Sequence, residues 1–227
     1  MKVIAIIPAF NEEKSIEFVL QDIPKDLVHE IIVIDNNSSD KTAAIAKKCG
    51  VTVVSEPERG YGRACLAGIH YAKQLQPDVV VFLDADYSDH PEEIPKLLQK
   101  IKESYDLVIG SRTLGNSAPG ALLPQARFGN WLSVFLIKLL FGYQYTDLGP
   151  FRAIKWGRLM ELDMQDPTFG WTVEMQVKAV KLGFKIAEVP VSYRARIGVS
   201  KITGTLSGTI RAGYKILFTI FRYVFTN

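Results

Sequence analysis

At 227 residues and 48% hydrophobic, the chain has enough apolar matter for one sizeable core and too much for a disordered protein. Two cysteines, Cys49 and Cys65, give neither a disulfide framework nor zinc-ligand spacing, and three scattered histidines are too few for a histidine-based metal centre. Net charge is only +3, yet residues 1–116 carry 13 Lys+Arg against 18 Asp+Glu, whereas residues 185–227 carry seven basic residues against one acid. A basic tail behind an acidic front half points to an anionic partner: a phosphate, a nucleic acid or a membrane surface.

The chain enters a strand pattern at once (MKVIAIIPAF), without the charged start and long apolar run of a signal peptide, so a reduced, cytoplasmic setting is expected. VIAIIPAF (3–10) is a continuous apolar strand, followed by a helix from near Asn11–Glu12. EIIVID (30–35) is the second strand; NNSSD then caps a helix over 41–48 that ends at Gly50. VTVVSE (51–56) is the third strand, and the glycine-rich turn RGYGRA opens a helix over 63–75. VVVFLDA (79–85) and DLVIGSR (106–112) are the fourth and fifth strands, with a helix from Asp89 to about Glu103 between them. Continuous apolar strands alternating with helices predict an α/β fold with a mostly parallel sheet covered on both faces. Ligands in such sheets bind beyond the carboxyl ends of the strands. Asn11–Glu12, Asp35, Glu56, Asp84–Asp86 and Arg112 all fall there.

After residue 113 the texture changes. TLGNSAPGALLP is a loop, and 126–143 is a helix apolar nearly all round, interrupted by Lys138. It suits a buried core helix or a membrane-facing one, and it is too short and interrupted to span a bilayer. A turn into a strand (146–155), a helix (171–182), an extended segment (185–196) and a final helix (205–225) complete the chain. On the final helix Arg211, Lys215 and Arg222 form a narrow basic stripe. Leu206, Ile210, Tyr214, Leu217, Phe221 and Val224 form a broad apolar arc. That is the pattern of an interfacial helix, here the favoured reading, and also of a helix packed on the domain with a solvated basic edge. Nucleic-acid binding would need a groove-sized basic surface, and the apolar arc suits lipid better, so no nucleic-acid partner is expected.

The stretch FLDADYSDHPEEI (82–94) carries the most chemistry. Asp89 with Glu92 matches a capping box, and Pro91 and Glu93 suit a first helical turn. Asp84 and Asp86 come too early for capping. Two like charges one residue apart are tolerable around a cation, and two carboxylates at a strand end suit Mg²⁺ or Mn²⁺, which also bind substrate phosphates. Arg112, at the next strand end, could clamp a diphosphate or serve as a surface ion-pair residue. What is missing narrows the class. No G-x-G-x-x-G follows the first strand, no G-x-x-x-x-G-K-[ST] occurs, and no glycine precedes Gly50.

IPAFNEEKSI, IIVIDNNSSDKT, RGYGRACLAGI, FLDADYSDHPEEI, DLVIGSR, DLGPFR and RIGVSKI stand in this order along nearly the whole chain. Together they resemble the family-two inverting glycosyltransferases of the GT-A fold, above all the polyprenyl-phosphate (dolichol-phosphate) mannosyl- and glucosyltransferases. The resemblance implies that Pro8, Ala9, Asn11, Glu12 and Asp35 hold the nucleobase and ribose of a nucleotide-sugar donor, and that Asp84 and Asp86 hold metal and diphosphate. It implies that Arg112 faces a phosphate, and that Arg196, Ser200 and Lys201 close over the site and bind phosphate groups. The chain departs from the family pattern at Asn36, where a second acid is common, at LGPFR, and in carrying no added transmembrane helices. The implied organisation is a catalytic domain over 1–203, with a nucleotide-sugar-binding half (1–112) and an acceptor-binding half (113–203), and an amphipathic helix over 204–227.

The acceptor follows from chemistry. A hydroxyl acceptor needs a general base, for which Asp147 and Glu174 are the candidates outside the donor cluster, although Asp147 could equally organise a turn and Glu174 be an early-turn helix acid. A phosphate monoester needs none, because its second pKa of about 6 leaves it largely dianionic at neutral pH. Arg127, Arg152, Arg194, Arg196 and Lys201 exceed what a sugar hydroxyl requires, and with the apolar segments 131–143 and 205–225 they favour a polyprenyl phosphate at the cytoplasmic face of a membrane. The alternatives are transfer to a soluble hydroxyl acceptor and a non-catalytic nucleotide-sugar-binding module.

Overall fold

A computed structural model describes residues 1–198 and 206–225. The sheet has seven strands in the order β3-β2-β1-β4-β6-β5-β7. β1 (Val3–Ala9) lies between β2 (Glu30–Asp35) and β4 (Val79–Phe82), parallel to both, and β3 (Thr52–Ser55) runs parallel on the far side of β2. β5 (Leu107–Ser111) pairs in parallel with β7 (Ile186–Pro190). Between β4 and β5 runs a reversed strand, β6 (Arg152–Lys155), antiparallel to both neighbours. The expected strand in 146–155 therefore does not extend the parallel series; it splits it. Its reversal brings the start of β6, and the loop ahead of it, to the edge where β4 and β5 end.

Successive strand side chains point to opposite faces, and both faces are buried. Ile4, Ile6, Ile32, Ile34, Val80 and Phe82 meet α3 (Tyr61–Ala72), α6 (Trp156–Leu162) and α7 (Trp171–Lys181). Val3, Ala5, Ile7, Val33, Val79 and Val81 meet α1 (Ile16–Asp22), α2 (Thr42–Lys48) and α4 (Ile94–Lys102). This two-sided burial is why the strands read as unbroken apolar runs. Trp171 is fully buried, with its ring 4.7 Å from that of Phe82.

Two helices depart from this plan. α5 (Pro124–Phe141) buries only Ser133 and Ile137 and leaves Phe128, Trp131, Phe135 and Leu139 exposed at helical spacing. The helix is not buried all round: Ile137, with Val134, Leu136, Leu140 and Phe141, packs on the core, and the aromatic face is exposed. α8 (Leu206–Phe225) packs against α5 and α7 through a narrow face that includes Ala212, Thr219 and Ile220, and exposes Ile210, Tyr214, Phe218, Phe221 and Phe225. Among the described residues no helix is long and apolar enough to cross a membrane.

Trp171→Ala should lower unfolding stability by about 3–5 kcal/mol, the cost of a large cavity in a tightly packed core. Urea denaturation should show the midpoint fall with little change in slope.

Candidate active site

Two cavities flank the carboxyl ends of β4 and β5. The first, of about 330 Å³, is lined by Pro8 and Ala9 at the end of β1 and Phe10 and Glu12 beyond it, Asn36 after β2, Arg59 and Gly60 before α3 and Tyr61 and Ala64 within it, Asp84–Asp86 after β4, Thr168–Phe169 before α7, and Arg196. The second, of about 580 Å³, lies among Arg112, Asn116, Arg127, Asn130, Trp131 and Asp147.

The acids at the end of β4 are the electrostatic centre. Asp86 and Asp89 are buried and Asp84 is half-buried, and the three acids repel one another at the edge of the first cavity. Burial, then the charges of Asp86 and Asp89, push the Asp84 carboxyl well above its ordinary pKa. Burial and Asp86 raise Asp89 from 3.8 to about 7, with Arg112 opposing. Asp89 does not cap a helix, contrary to its capping-box spacing. His90 stands at the start of the 3₁₀ turn Pro91–Glu93, and the Asp89 carboxylate instead accepts the backbone N–H of Asp84 at 3.3 Å. The capping pattern thus conceals a third acid of the cluster. Asp86 accepts the Ser88 N–H at 2.9 Å through one oxygen and meets Arg196 at 3.1 Å through the other. Arg196 also reaches Glu12 at 3.0 Å, so one guanidinium bridges the acids of β1 and β4.

A divalent cation suits this corner. Asp84 Oδ1 is buried without a hydrogen-bond partner, and the mutual repulsion of the acids is what a cation relieves. No group of three or more potential metal-ligating side chains is preassembled among the described residues. Asp84 and Asp86 would therefore hold Mg²⁺ or Mn²⁺ jointly with substrate oxygens and water, the usual arrangement for such ions at phosphate sites.

The walls of the first cavity are tied to one another. Asn11, at φ 54°, takes the left-handed conformation that asparagine tolerates; its Oδ1 accepts the Ser39 N–H at 2.8 Å. It fastens the β1 end to the 38–39 loop and is not among the cavity-lining residues. Asp35 lies at the β2 end, also outside the lining, with Oδ1 buried and unpartnered. Asn36 lines the cavity in place of a second acid. Its amide donates to the Glu58 carbonyl at 2.7 Å and to that of Glu56 at 3.2 Å, while its oxygen accepts the Gly60 N–H at 2.8 Å. A carboxylate could not donate to those two carbonyls. The Arg59 guanidinium stacks 4.6 Å from the Phe10 ring. A Cβ at Gly62 would collide with the Asp166 carbonyl, which explains the glycine-rich turn: it lets α3 approach the 166–169 segment.

Arg112 lies in the second cavity rather than the first. Its Nε and Nη2 hold both oxygens of fully buried Asp147 at 2.8 and 2.7 Å, and its ring neighbour is Tyr193 at 5.1 Å. Burial works against the guanidinium charge, but Asp147 outweighs it and raises the pKa of Arg112. Asp147 is thereby committed to an ion pair rather than placed as a free base. The Asp147 and Thr146 N–H groups are held in turn by Glu188 on β7, at 3.1 and 2.8 Å.

Glu174 lines neither cavity. Its oxygens accept the Gln165 and Asp166 N–H groups at 3.0 and 2.7 Å and the Tyr223 hydroxyl at 2.8 Å, and pair with Lys178 at 2.8 Å. It organises a loop, and the geometry removes it as a base facing substrate. Arg152 is likewise inward, donating to the Thr172 and Gly149 carbonyls, and Arg194 donates to those of Tyr87 and Asp89. Of the cations counted from sequence, Arg127 and Arg196 line the cavities. Ser200 and Lys201 lie outside the described residues.

Residues 4–159 match the glycosyl transferase family 2 profile. The chain belongs to this family. Among relatives of this glycosyltransferase, the undecaprenyl-phosphate mannosyltransferase of Micrococcus luteus is 30% identical over 221 residues, covering 92% of this chain and 90% of that one. The dolichyl-phosphate hexose transferase of Haloferax volcanii is 33% identical over 202 residues, covering 87% and 85%. The fold matches that of glucosyl-3-phosphoglycerate synthase from Mycobacterium tuberculosis, solved with Mn²⁺, uridine diphosphate and phosphoglyceric acid. The TM-score is 0.79 at 22% identity, over 100% of this chain and 79% of that one. The resemblance to a GT-A glycosyltransferase is therefore upheld at the level of family and fold.

Because Asp84 and Asp89 have raised pKa values, the metal-free protein should lose stability as pH rises from about 4 to about 7, where the folded state must release protons it prefers to keep. Mn²⁺ should offset this. Melting curves should show a larger Mn²⁺-induced rise at about pH 7.5 than at about pH 5, and Asp86→Ala should remove it.

Proposed function

We propose that the protein transfers a hexose from a nucleotide sugar to a polyprenyl phosphate, with inversion, while resting on the cytoplasmic face of a membrane. The first cavity takes the donor, within residues 1–112 and the segments that close on them; the second takes the acceptor. One observation carries the acceptor assignment. The second cavity is lined by half-buried Arg112, by exposed Arg127 and by Trp131, which belongs to the exposed aromatic face of α5 and stacks on Phe135 at 5.9 Å. A cationic pocket continuous with a bare apolar surface fits a phosphate joined to a lipid chain.

The chemistry follows. The acceptor phosphate oxygen attacks the anomeric carbon of the donor sugar, and the bond from that carbon to the diphosphate oxygen breaks. The sugar leaves on the lipid phosphate with its configuration inverted, and the nucleoside diphosphate departs with the electron pair. A dianionic phosphate brings its own nucleophile, so no side chain need remove a proton. The commitment of Asp147 to Arg112 and of Glu174 to its loop agrees with this. A divalent cation held by Asp84 and Asp86 would neutralise charge gathering on the departing diphosphate. Phe10, Asn36 and Arg59 shape the base-side wall, and Arg112 and Arg127 orient the acceptor.

A soluble phosphorylated acceptor is the second reading. It is favoured by the phosphoglyceric acid bound in the M. tuberculosis synthase of the same fold. The exposed apolar faces of α5 and α8 have no purpose under it.

Arg127→Ala should raise the KM for a short polyprenyl phosphate several-fold and leave the donor KM unchanged. An unchanged acceptor KM would remove the second cavity from the reaction. Trp131→Ser combined with Phe135→Ser should weaken partitioning onto anionic vesicles by roughly tenfold or more in a flotation assay, given about 1.5–3 kcal/mol for each large apolar side chain taken out of water.

A further inference from the structure

Lys215 belongs to the basic stripe of α8, yet it does not face outward. Its Nζ pairs with Asp166 at 2.8 Å, and Asp166 is buried. The other oxygen of Asp166 accepts the Thr168 N–H at 2.8 Å and the Thr168 hydroxyl at 3.1 Å, and Thr168 and Phe169 line the first cavity. A second strut runs beside the first. The Tyr223 hydroxyl donates to Glu174 at 2.8 Å, and Glu174 accepts the N–H groups of Gln165 and Asp166. A third contact is steric: a Cβ at Gly170 would meet both the Asp166 carboxylate and the Thr219 hydroxyl of α8. The same segment meets α3 on its other side, where the Arg63 N–H donates to the Pro167 carbonyl at 3.0 Å. Residues 165–170 are thus clamped between the C-terminal helix and the helix that opens at the donor cavity.

We infer that α8 is a wall-bearing element of the donor pocket, and that Lys215 and Tyr223 are positioning residues that set Thr168 and Phe169 against the bound nucleotide sugar. The inference rests on the reading of the first cavity as the donor site. Loss of Lys215 leaves Asp166 buried with one oxygen unpartnered, which loosens the wall rather than the chemistry. The basic stripe is then divided in purpose: Lys215 acts inward on the donor pocket, whatever Arg211 and Arg222 do.

The test is calorimetric titration of the full-length chain with UDP and with GDP in the presence of Mn²⁺, without lipid, followed by steady-state kinetics. Lys215→Met should weaken the nucleotide that binds wild type by about two- to thirtyfold, and raise the donor KM while kcat and the acceptor KM hold. Lys215→Arg, which keeps the charge, should restore most of the affinity. Tyr223→Phe, which deletes only a hydroxyl, should act in the same direction and serves if Lys215→Met folds poorly by circular dichroism. Unchanged nucleotide affinity in folded Lys215→Met and Tyr223→Phe overturns the inference, as does a loss in Lys215→Met that Lys215→Arg leaves uncorrected. Failure of wild type itself to bind either nucleotide would instead overturn the donor-site reading.

Discussion

Three carboxylates stand close together at the end of β4, two of them buried, and most of the site is arranged to make that tolerable. Like charges buried together raise one another's pKa values, as Asp84 and Asp89 show, and the corner can ionise fully only beside positive charge. Arg196 supplies some of it from a segment more than a hundred residues away, bridging Glu12 and Asp86. Arg112 supplies more from the second cavity, its own burial offset by Asp147. A divalent cation and the phosphates it carries fit the same electrostatic demand. Under the proposed function, the cost of holding the acids together would be recovered when a metal-bearing donor binds.

The reversed strand β6 makes the site two-sided. Because it runs opposite to β4 and β5, the Asp147–Phe151 loop reaches the edge where those strands end, and Asp147 meets Arg112 there. Glu188 on β7 fixes the loop from behind. The outcome is a division of positive charge: Arg59 and Arg196 line the first cavity, Arg112 and Arg127 the second. With Asp147 and Glu174 both engaged, an acceptor that arrives already ionised fits this division best.

The alternation of strand and helix through residue 112 was legible because each strand is buried on both faces and reads as an unbroken apolar run. The D-x-D pair was legible because acids at the end of such a run have no packing role. What the sequence hid were partnerships across long separations. Asp147 and Glu174 looked like spare acids because Arg112, Lys178 and the Gln165–Asp166 amides cannot be seen beside them in one dimension. Asp89 carried a genuine capping pattern, and its burial beside Asp84 and Asp86 overrode it. The reversal of β6 has no local signature, and the short helix α6, which follows it directly, was not anticipated. Periodicity could not tell whether the apolar faces of α5 and α8 meet protein or lipid, since both demand the same side chains. Phe10, Arg59 and Thr168–Phe169 escaped notice as cavity residues; the paired glycines Gly60 and Gly62 were the available signal, marking a close backbone approach to the 166–167 carbonyls.

The most direct measurement is where the sugar goes. Purified protein with Mn²⁺ would be given a panel of radiolabelled nucleotide sugars together with a short polyprenyl phosphate and, in parallel, a soluble phosphorylated acceptor such as phosphoglyceric acid. The account predicts that one donor moves its label into the organic phase with the polyprenyl phosphate and leaves the soluble acceptor unlabelled. Label on the soluble acceptor alone would contradict it, and would leave the exposed faces of α5 and α8 to be explained by something other than the substrate.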